Sequence, residues 1–80
     1  MDKFLRHDSV THVKTGTVYM IVLGPCNGLT IESTGEPAYM YQKFWERLDR
    51  RLWIRPATSM EDGRFEFTHR STHGAEGRAP

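Results

Sequence analysis

Hydrophobic and polar residues alternate with a two-residue period over several short stretches of this chain, as is typical of β-strands. The clearest stretch is Arg51-Leu52-Trp53-Ile54-Arg55-Pro56. In an extended chain, Leu52 and Ile54 point to one side, and the two arginines and the tryptophan point to the other. We expect Leu52 and Ile54 to face the core and the Arg-Trp-Arg stripe to be the outer face. Pro56 cannot donate to a strand ladder, so the strand is predicted to end at Arg55.

Four other segments predict strands, and turn-forming residues separate most of them. They cover residues 10–14, 17–23, 38–42 and 64–68. The second is apolar on both faces, as in a central strand or one that curls around a small barrel. Tyr39 and Tyr41 share one face of the third, and Phe65 and Phe67 are expected to face the core from the last. Residues 29–32 are a further candidate for a short strand.

Residues 41–52 fit two local structures. Their apolar side chains recur at helical spacing without an intervening Gly or Pro, which favours a helix of about three turns. The alternative is a hairpin with its tip over residues 44–50, although this tip lacks the usual turn residues. Residues 58–62 predict a separate helical turn, capped at Thr58 or Ser59 and ended by Gly63.

The chain of 80 residues has the size of one small domain. Its 38% hydrophobic and 26% charged residues are a globular composition. Residues 1–8 are predicted to form an N-terminal arm that packs lightly through Phe4 and Leu5. Residues 9–68 are predicted to form the β domain, and residues 69–80 a disordered C-terminal tail. A core of this size can require dimerisation, so we expect a monomer or a homodimer.

Charge and apolar segments narrow the classes of partner. The net charge is +1, from 11 Lys and Arg against 10 Asp and Glu, so it does not support binding to nucleic acid or an anionic membrane. The longest apolar run, residues 18–23, is too short to span a bilayer, and the N-terminus lacks a signal-peptide core. Cys26 is the single cysteine, so no internal disulfide can form. We expect a cytoplasmic protein that makes no membrane contact.

Candidate catalytic and metal-binding groups are sparse. Cys26 lies beside a turn with no base assigned to it, and the nearby glycines lack the lysine of a phosphate-binding loop. His69 and His73 have a spacing that can bind a metal on a helix, but no cysteine or carboxylate cluster accompanies them. We predict that the protein is not an enzyme and has no metal or cofactor.

Several short motifs follow one another along the chain. In order, they are His12-Val13-Lys14-Thr15-Gly16, Tyr19, Tyr41-Gln42, Leu52-Trp53-Ile54-Arg55-Pro56 and Asp62-Gly63-Arg64-Phe65-Glu66. Across residues 10–67 this series resembles a family of small bacterial and phage domains catalogued as a domain of unknown function. The resemblance implies an SH3-type β barrel of short, bent antiparallel strands. Together with the segments above, it predicts a mainly β fold of about five such strands with one helical turn near residues 58–62. It favours the hairpin over the helix before Trp53, and it implies no activity.

Tyr41, Gln42, Trp53 and Arg55 form the candidate recognition patch. In this hypothesis the indole stacks on a planar group, and Arg55 binds a carboxylate or phosphate with its planar fork. The same side chains also suit a structural role, because an arginine stacked on an indole stabilises a sheet face by about 0.5–2 kcal/mol. The predicted function is a binding module for a protein segment or a small-molecule ligand. The alternatives are a nucleic-acid-binding barrel and a structural subunit of an oligomer.

Overall fold

The computed structural model describes residues 2–44 and 50–70. The strands are β1 (Ser9–His12), β2 (Val18–Leu23), β3 (Ala38–Lys43), β4 (Trp53–Pro56) and β5 (Phe65–His69), with a 3-10 turn at Pro25–Asn27 and a helix, α1, at Ala57–Met60. The strands form one antiparallel sheet in the order β4-β3-β2-β1-β5. This mainly β architecture confirms the predicted fold class.

The sheet curls until side chains from its two edge strands meet. Phe65 of β5 packs edge to face against Tyr41 of β3, with ring centroids 5.6 Å apart. The guanidinium carbon of Arg55, on the opposite edge strand β4, lies 5.3 Å from the Phe65 ring centroid. Contact between opposite edges requires a strongly curved sheet, which is consistent with a small β barrel.

Aromatic side chains fill much of the small core. The buried hydrophobic residues are Phe4, Val10, Ile21, Ala38, Tyr39, Tyr41, Met60 and Phe65. Tyr19 joins them from β2, with its ring centroid 5.1 Å from Tyr41 and 6.1 Å from Phe65 in T-shaped geometry. Such pairs contribute about 0.5–1.5 kcal/mol beyond the area that they bury. The core therefore depends on a few aromatic contacts.

The face of β4 that turns towards the core is the opposite of the predicted one. Leu52 and Ile54 are 53% and 52% exposed, so the prediction that they face the core is wrong. In the sheet register, Trp53 and Arg55 lie opposite the two buried tyrosines of β3. Residues directly opposite each other in an antiparallel pair share a face of the sheet. Trp53 and Arg55 therefore belong to the concave face, and Ile54 belongs to the convex face.

The two phenylalanines of β5 also differ from the prediction. Phe65 is buried as expected, but Phe67 is 48% exposed. Only the first residue of β5 is buried, so the strand runs beyond the core. At that end Phe67 is in contact with the Arg70 guanidinium, 5.2 Å from its ring centroid. His69 still belongs to β5, and the rest of the predicted tail, from residue 71, lies outside the described residues.

The N-terminal segment is an integral part of the core. Phe4 is fully buried and packs edge to face on Tyr39, with ring centroids 5.7 Å apart. Asp8 is also fully buried, and the His7 amide donates a hydrogen bond to the Ile21 carbonyl at 2.8 Å. Leu5 is 37% exposed. The prediction of a lightly packed arm is therefore wrong for Phe4.

The short helix is present, but its start differs from the prediction. Helix α1 begins directly after β4 with Pro56 at the N-cap and no side-chain cap, so the predicted caps Thr58 and Ser59 lie inside it. It is followed by a turn in which Gly63 has φ +106°, a conformation that favours glycine.

Three further features complete the outline of the chain. Residues 45–49, on which the choice between a helix and a hairpin depends, lie outside the described residues. No strand forms at residues 29–32: Thr30 makes one isolated bridge to Pro37, and residue 32 lies in a turn. Among the residues that are described, no helix is long and apolar enough to cross a membrane.

The Tyr39 hydroxyl joins the N-terminal segment to α1. It accepts a hydrogen bond from the Phe4 amide at 3.2 Å and donates one to the Glu61 carboxylate at 2.5 Å. The Lys3 amide also donates to Glu61, at 3.3 Å. Burial, followed by the hydrogen bond to Glu61, raises the pKa of the Tyr39 phenol. The folded protein thus keeps this proton at a pH where the unfolded chain loses it.

Tyr39→Phe is expected to lower the free energy of unfolding near neutral pH by about 1–2 kcal/mol, because the buried Phe4 amide loses its acceptor. Above pH of about 10 the unfolded chain ionises first, so wild-type stability should fall by up to about 1.4 kcal/mol per pH unit through this group. The variant should lack this share of the loss. Urea unfolding at neutral and alkaline pH measures both effects, with Tyr19→Phe as the control. Equal alkaline slopes for wild type and Tyr39→Phe would contradict the assignment.

Candidate functional site

A basic groove opens where the β1–β2 turn, β4 and the α1–β5 turn meet. Its volume is about 650 Å³, and its lining consists of His12, Val13, Lys14, Arg55, Asp62, Gly63 and Arg64. Asp62 forms an ion pair with Arg64, with 3.1 Å between Oδ2 and Nε. Lys14 and Arg55 have no carboxylate partner within residues 2–44 and 50–70. The groove therefore carries uncompensated positive charge although the chain is nearly neutral.

Backbone hydrogen bonds hold the two turns that form the groove walls. The Val13 amide of the first turn donates to the Arg64 carbonyl of the second at 2.9 Å. Within the first turn, the Gly16 amide donates to the His12 carbonyl at 2.7 Å, and Gly16 has φ +76°. The His12 Nδ1 and Thr15 hydroxyl lie 3.0 Å apart. These contacts position Lys14 and Arg64 on the same rim.

Arg55 is held on one edge and one face of its guanidinium. Its Nε donates a hydrogen bond to the Tyr41 hydroxyl at 3.2 Å, and the guanidinium lies over the Phe65 ring. His12 packs on the same ring, with centroids 4.9 Å apart. The terminal Nη groups of Arg55 have no hydrogen-bond acceptor among the residues described. This is the end of the guanidinium that binds carboxylates and phosphates in bidentate fashion.

Trp53 lies next to the groove without lining it. It precedes Arg55 by two residues on the same face of β4, a separation of about 6.6 Å along a strand. The indole is 39% exposed, and the Arg51 guanidinium lies 5.1 Å from its ring centroid. This stacking is the structural role that the Arg-Trp pattern allowed.

The structure brings three of the four predicted patch residues to one face of the sheet. Arg55 lines the groove, Tyr41 lies beneath it at 5% exposure, and Trp53 lies beside it. Gln42 alternates with Tyr41 along β3 and is paired with Met20, so its side chain belongs to the opposite face. A single patch that contains all four side chains is therefore not formed.

Sequence reasoning did not identify His12, Lys14 and Arg64 as members of the site. All three lie in the motifs that carry the family resemblance, His12 to Gly16 and Asp62 to Glu66. Those motifs are 45 or more positions apart along the chain, and turn residues have no periodicity that reports which turns meet. His12 and Lys14 lie in the first motif and Arg64 lies in the second, and this was the sign in the sequence that they could belong to the site.

Other candidate chemistry lies away from the groove. The Cys26 amide donates to the Asp2 carboxylate at 2.8 Å. A hydrogen bond to Asp2 also raises the pKa of the exposed Cys26 thiol, which lowers the fraction of reactive thiolate. In the described part of the chain, no three His, Cys, Asp or Glu side chains are grouped to hold a metal. His69 lies on β5, and His73 lies outside the described residues.

Comparison of the chain with protein-family models, with curated proteins and with solved structures finds no match. The motif resemblance to the small bacterial and phage domain family stays a prediction. The basic groove is therefore the feature of the protein that bears most directly on function.

Proposed function

We propose that this protein is a binding module, not an enzyme, and that it captures a carboxylate or phosphate group in the basic groove. The observation that carries the proposal is the setting of Arg55. Its guanidinium is held by Tyr41 and Phe65, while its two Nη groups have no acceptor in the described structure. An anion that binds there gains charge-assisted hydrogen bonds, and an arginine held in place loses little conformational entropy on binding.

The groove walls support the same role. Lys14 adds a second cation that has no carboxylate partner among the described residues, and the Arg64–Asp62 ion pair lies on the same rim. The residues that hold the ligand thus come from three elements that backbone hydrogen bonds and the aromatic core keep in register. The anionic group belongs to a protein segment or a small ligand.

Titration with pyrophosphate and with acetate at low ionic strength tests the proposal. In two-dimensional NMR, the resonances of residues 12–14, 55 and 62–64 should shift together in the wild type. Arg55→Gln should weaken pyrophosphate binding about 10- to 100-fold, because two charge-assisted hydrogen bonds are lost. Arg55→Lys keeps the charge without the fork and should lie between the two.

Arg6→Gln is the matched control, because it removes the same charge from an exposed arginine of the N-terminal segment. Its affinity should equal that of the wild type. If a folded Arg55→Gln variant binds pyrophosphate as tightly as Arg6→Gln does, Arg55 is not the anion contact and the proposal fails. Melting curves for each variant show whether the folded state is retained.

A further inference from the structure

Among the described strands, β4 has a neighbour on only one side of the sheet. It pairs with β3 and is the edge strand in the order β4-β3-β2-β1-β5. The unpaired backbone groups of an edge strand are a template for an additional strand. Many protein modules bind extended peptides in this way, with main-chain hydrogen bonds for affinity and alternate side chains for specificity.

The two faces of β4 differ in chemistry, and the basic groove lies on one of them. Arg55 and Trp53 belong to the concave face, and Arg55 lines the groove. Ile54, on the convex face, is 52% exposed. In an added strand, the side chain opposite Arg55 would enter the groove, and the adjacent side chain would cover Ile54. This edge therefore matches a segment in which acidic and apolar residues alternate.

Charge complementarity separates the candidate occupants. Arg55 and Lys14 call for a negatively charged partner. A second copy would bring the same strand, which has two arginines and no acidic residue between positions 51 and 56. Single-stranded nucleic acid is bound through a long cationic track, whereas this chain has a net charge of +1. An acidic peptide fits both the local charge and the free backbone edge.

Resting on the proposed function, we propose that the ligand of the basic groove is an extended acidic peptide segment that adds a strand to the free edge of β4. An acidic side chain of the segment lies opposite Arg55, and an adjacent apolar side chain lies opposite Ile54. The anion contact positions the peptide, and main-chain hydrogen bonds with β4 extend the sheet.

The test uses capped hexapeptides made of three glutamates and three valines. One has the two residue types in alternation, and the other has them in two blocks, so the composition and charge are equal. We expect the alternating peptide to bind at least about tenfold more tightly, a difference of about 1.4 kcal/mol. Two N-methylated versions of the alternating peptide are compared, one methylated at the odd-numbered amides and one at the even-numbered amides. One version should not bind and the other should bind almost normally, because a strand pairs with its neighbour through alternate residues.

Variants of the protein distinguish strand addition from the proposed anion binding alone. Ile54→Ser should weaken the alternating peptide several-fold and leave pyrophosphate binding unchanged, whereas Arg55→Gln should weaken both ligands. Phe67→Ser is the matched control, because Phe67 is similarly exposed but lies on the other edge strand. It should leave peptide binding unchanged.

Four results would overturn strand addition. The first is equal affinity for the block peptide, and the second is normal binding of both N-methylated peptides. Either result would mean that the groove binds an anion without strand addition, and the proposed function would survive. Tight, salt-dependent binding of an oligothymidylate in place of the peptide would identify nucleic acid as the ligand. A dimer that Ile54→Ser dissociates would identify a second copy as the occupant of the edge.

Discussion

Phe65→Ala is expected to lower the free energy of unfolding by about 3–5 kcal/mol, because a large buried aromatic side chain is removed. The Phe65 ring is 1% exposed and is in contact with Tyr19, Tyr41 and His12. It also lies beneath the Arg55 guanidinium. Its removal would leave a cavity at the point where the two edges of the curled sheet meet.

Phe67→Ala provides the matched control for this truncation. Phe67 is two residues further along the same strand but is 48% exposed. The same chemical change there should cost less than about 1 kcal/mol, because little buried surface is lost. Urea unfolding followed by tryptophan fluorescence measures both variants. Similar losses at the two positions would mean that the sheet does not close around Phe65.

Asp8→Ala is expected to lower the free energy of unfolding by about 1.5–3 kcal/mol, because the hydrogen bonds of a buried carboxylate are lost. The Asp8 carboxylate is fully buried and accepts a hydrogen bond from the Leu5 amide at 2.8 Å. Arg70 donates to both carboxylate oxygens, from Nε and Nη2, each at 2.9 Å. The pair joins the N-terminal segment to the end of β5. Truncation of Asp8 leaves the Leu5 amide without its acceptor and removes this connection.

Asp62→Ala is the control, because the Asp62 carboxylate forms an ion pair but is 39% exposed. Solvent-exposed pairs of this kind contribute about 0–1 kcal/mol. Thermal and urea unfolding measures both variants. The Asp8→Ala, Arg70→Ala and double variants together give the coupling energy of the pair. If Asp8→Ala costs no more than Asp62→Ala, the buried Asp8 carboxylate does not stabilise the fold.

Local patterns predicted all five described strands, because the alternation of a strand is visible in neighbouring residues. Each predicted strand, at residues 10–14, 17–23, 38–42, 51–55 and 64–68, overlaps an observed strand. Helix α1 begins one residue before the predicted helical turn. Tyr39 and Tyr41 are buried on one face of β3, as the alternation indicated. The register between β3 and β4, which alternation within each strand does not determine, places Tyr41, Trp53 and Arg55 on a common face.

Local patterns could not predict contacts between segments that are distant in the chain. Asp8 is charged and lies in a polar stretch, so nothing in its neighbourhood indicated that Arg70 would hold it in the interior. The groove likewise unites turns that are far apart in the chain, and only pairing such as that of Val13 with Arg64 brings them together. His12 and Lys14 therefore entered the site only through the fold.

The stretch at residues 51–56, which contains β4, shows which features the sequence predicts and which depend on the tertiary structure. Alternation along the chain established that Trp53 and Arg55 share one side and that Ile54 belongs to the other, because successive residues of a strand point to opposite faces. It could not establish which side faces inward. The pairing of β4 with β3 and the curvature of the sheet decided that, by placing Arg55 over Phe65 from the opposite edge and leaving Ile54 exposed.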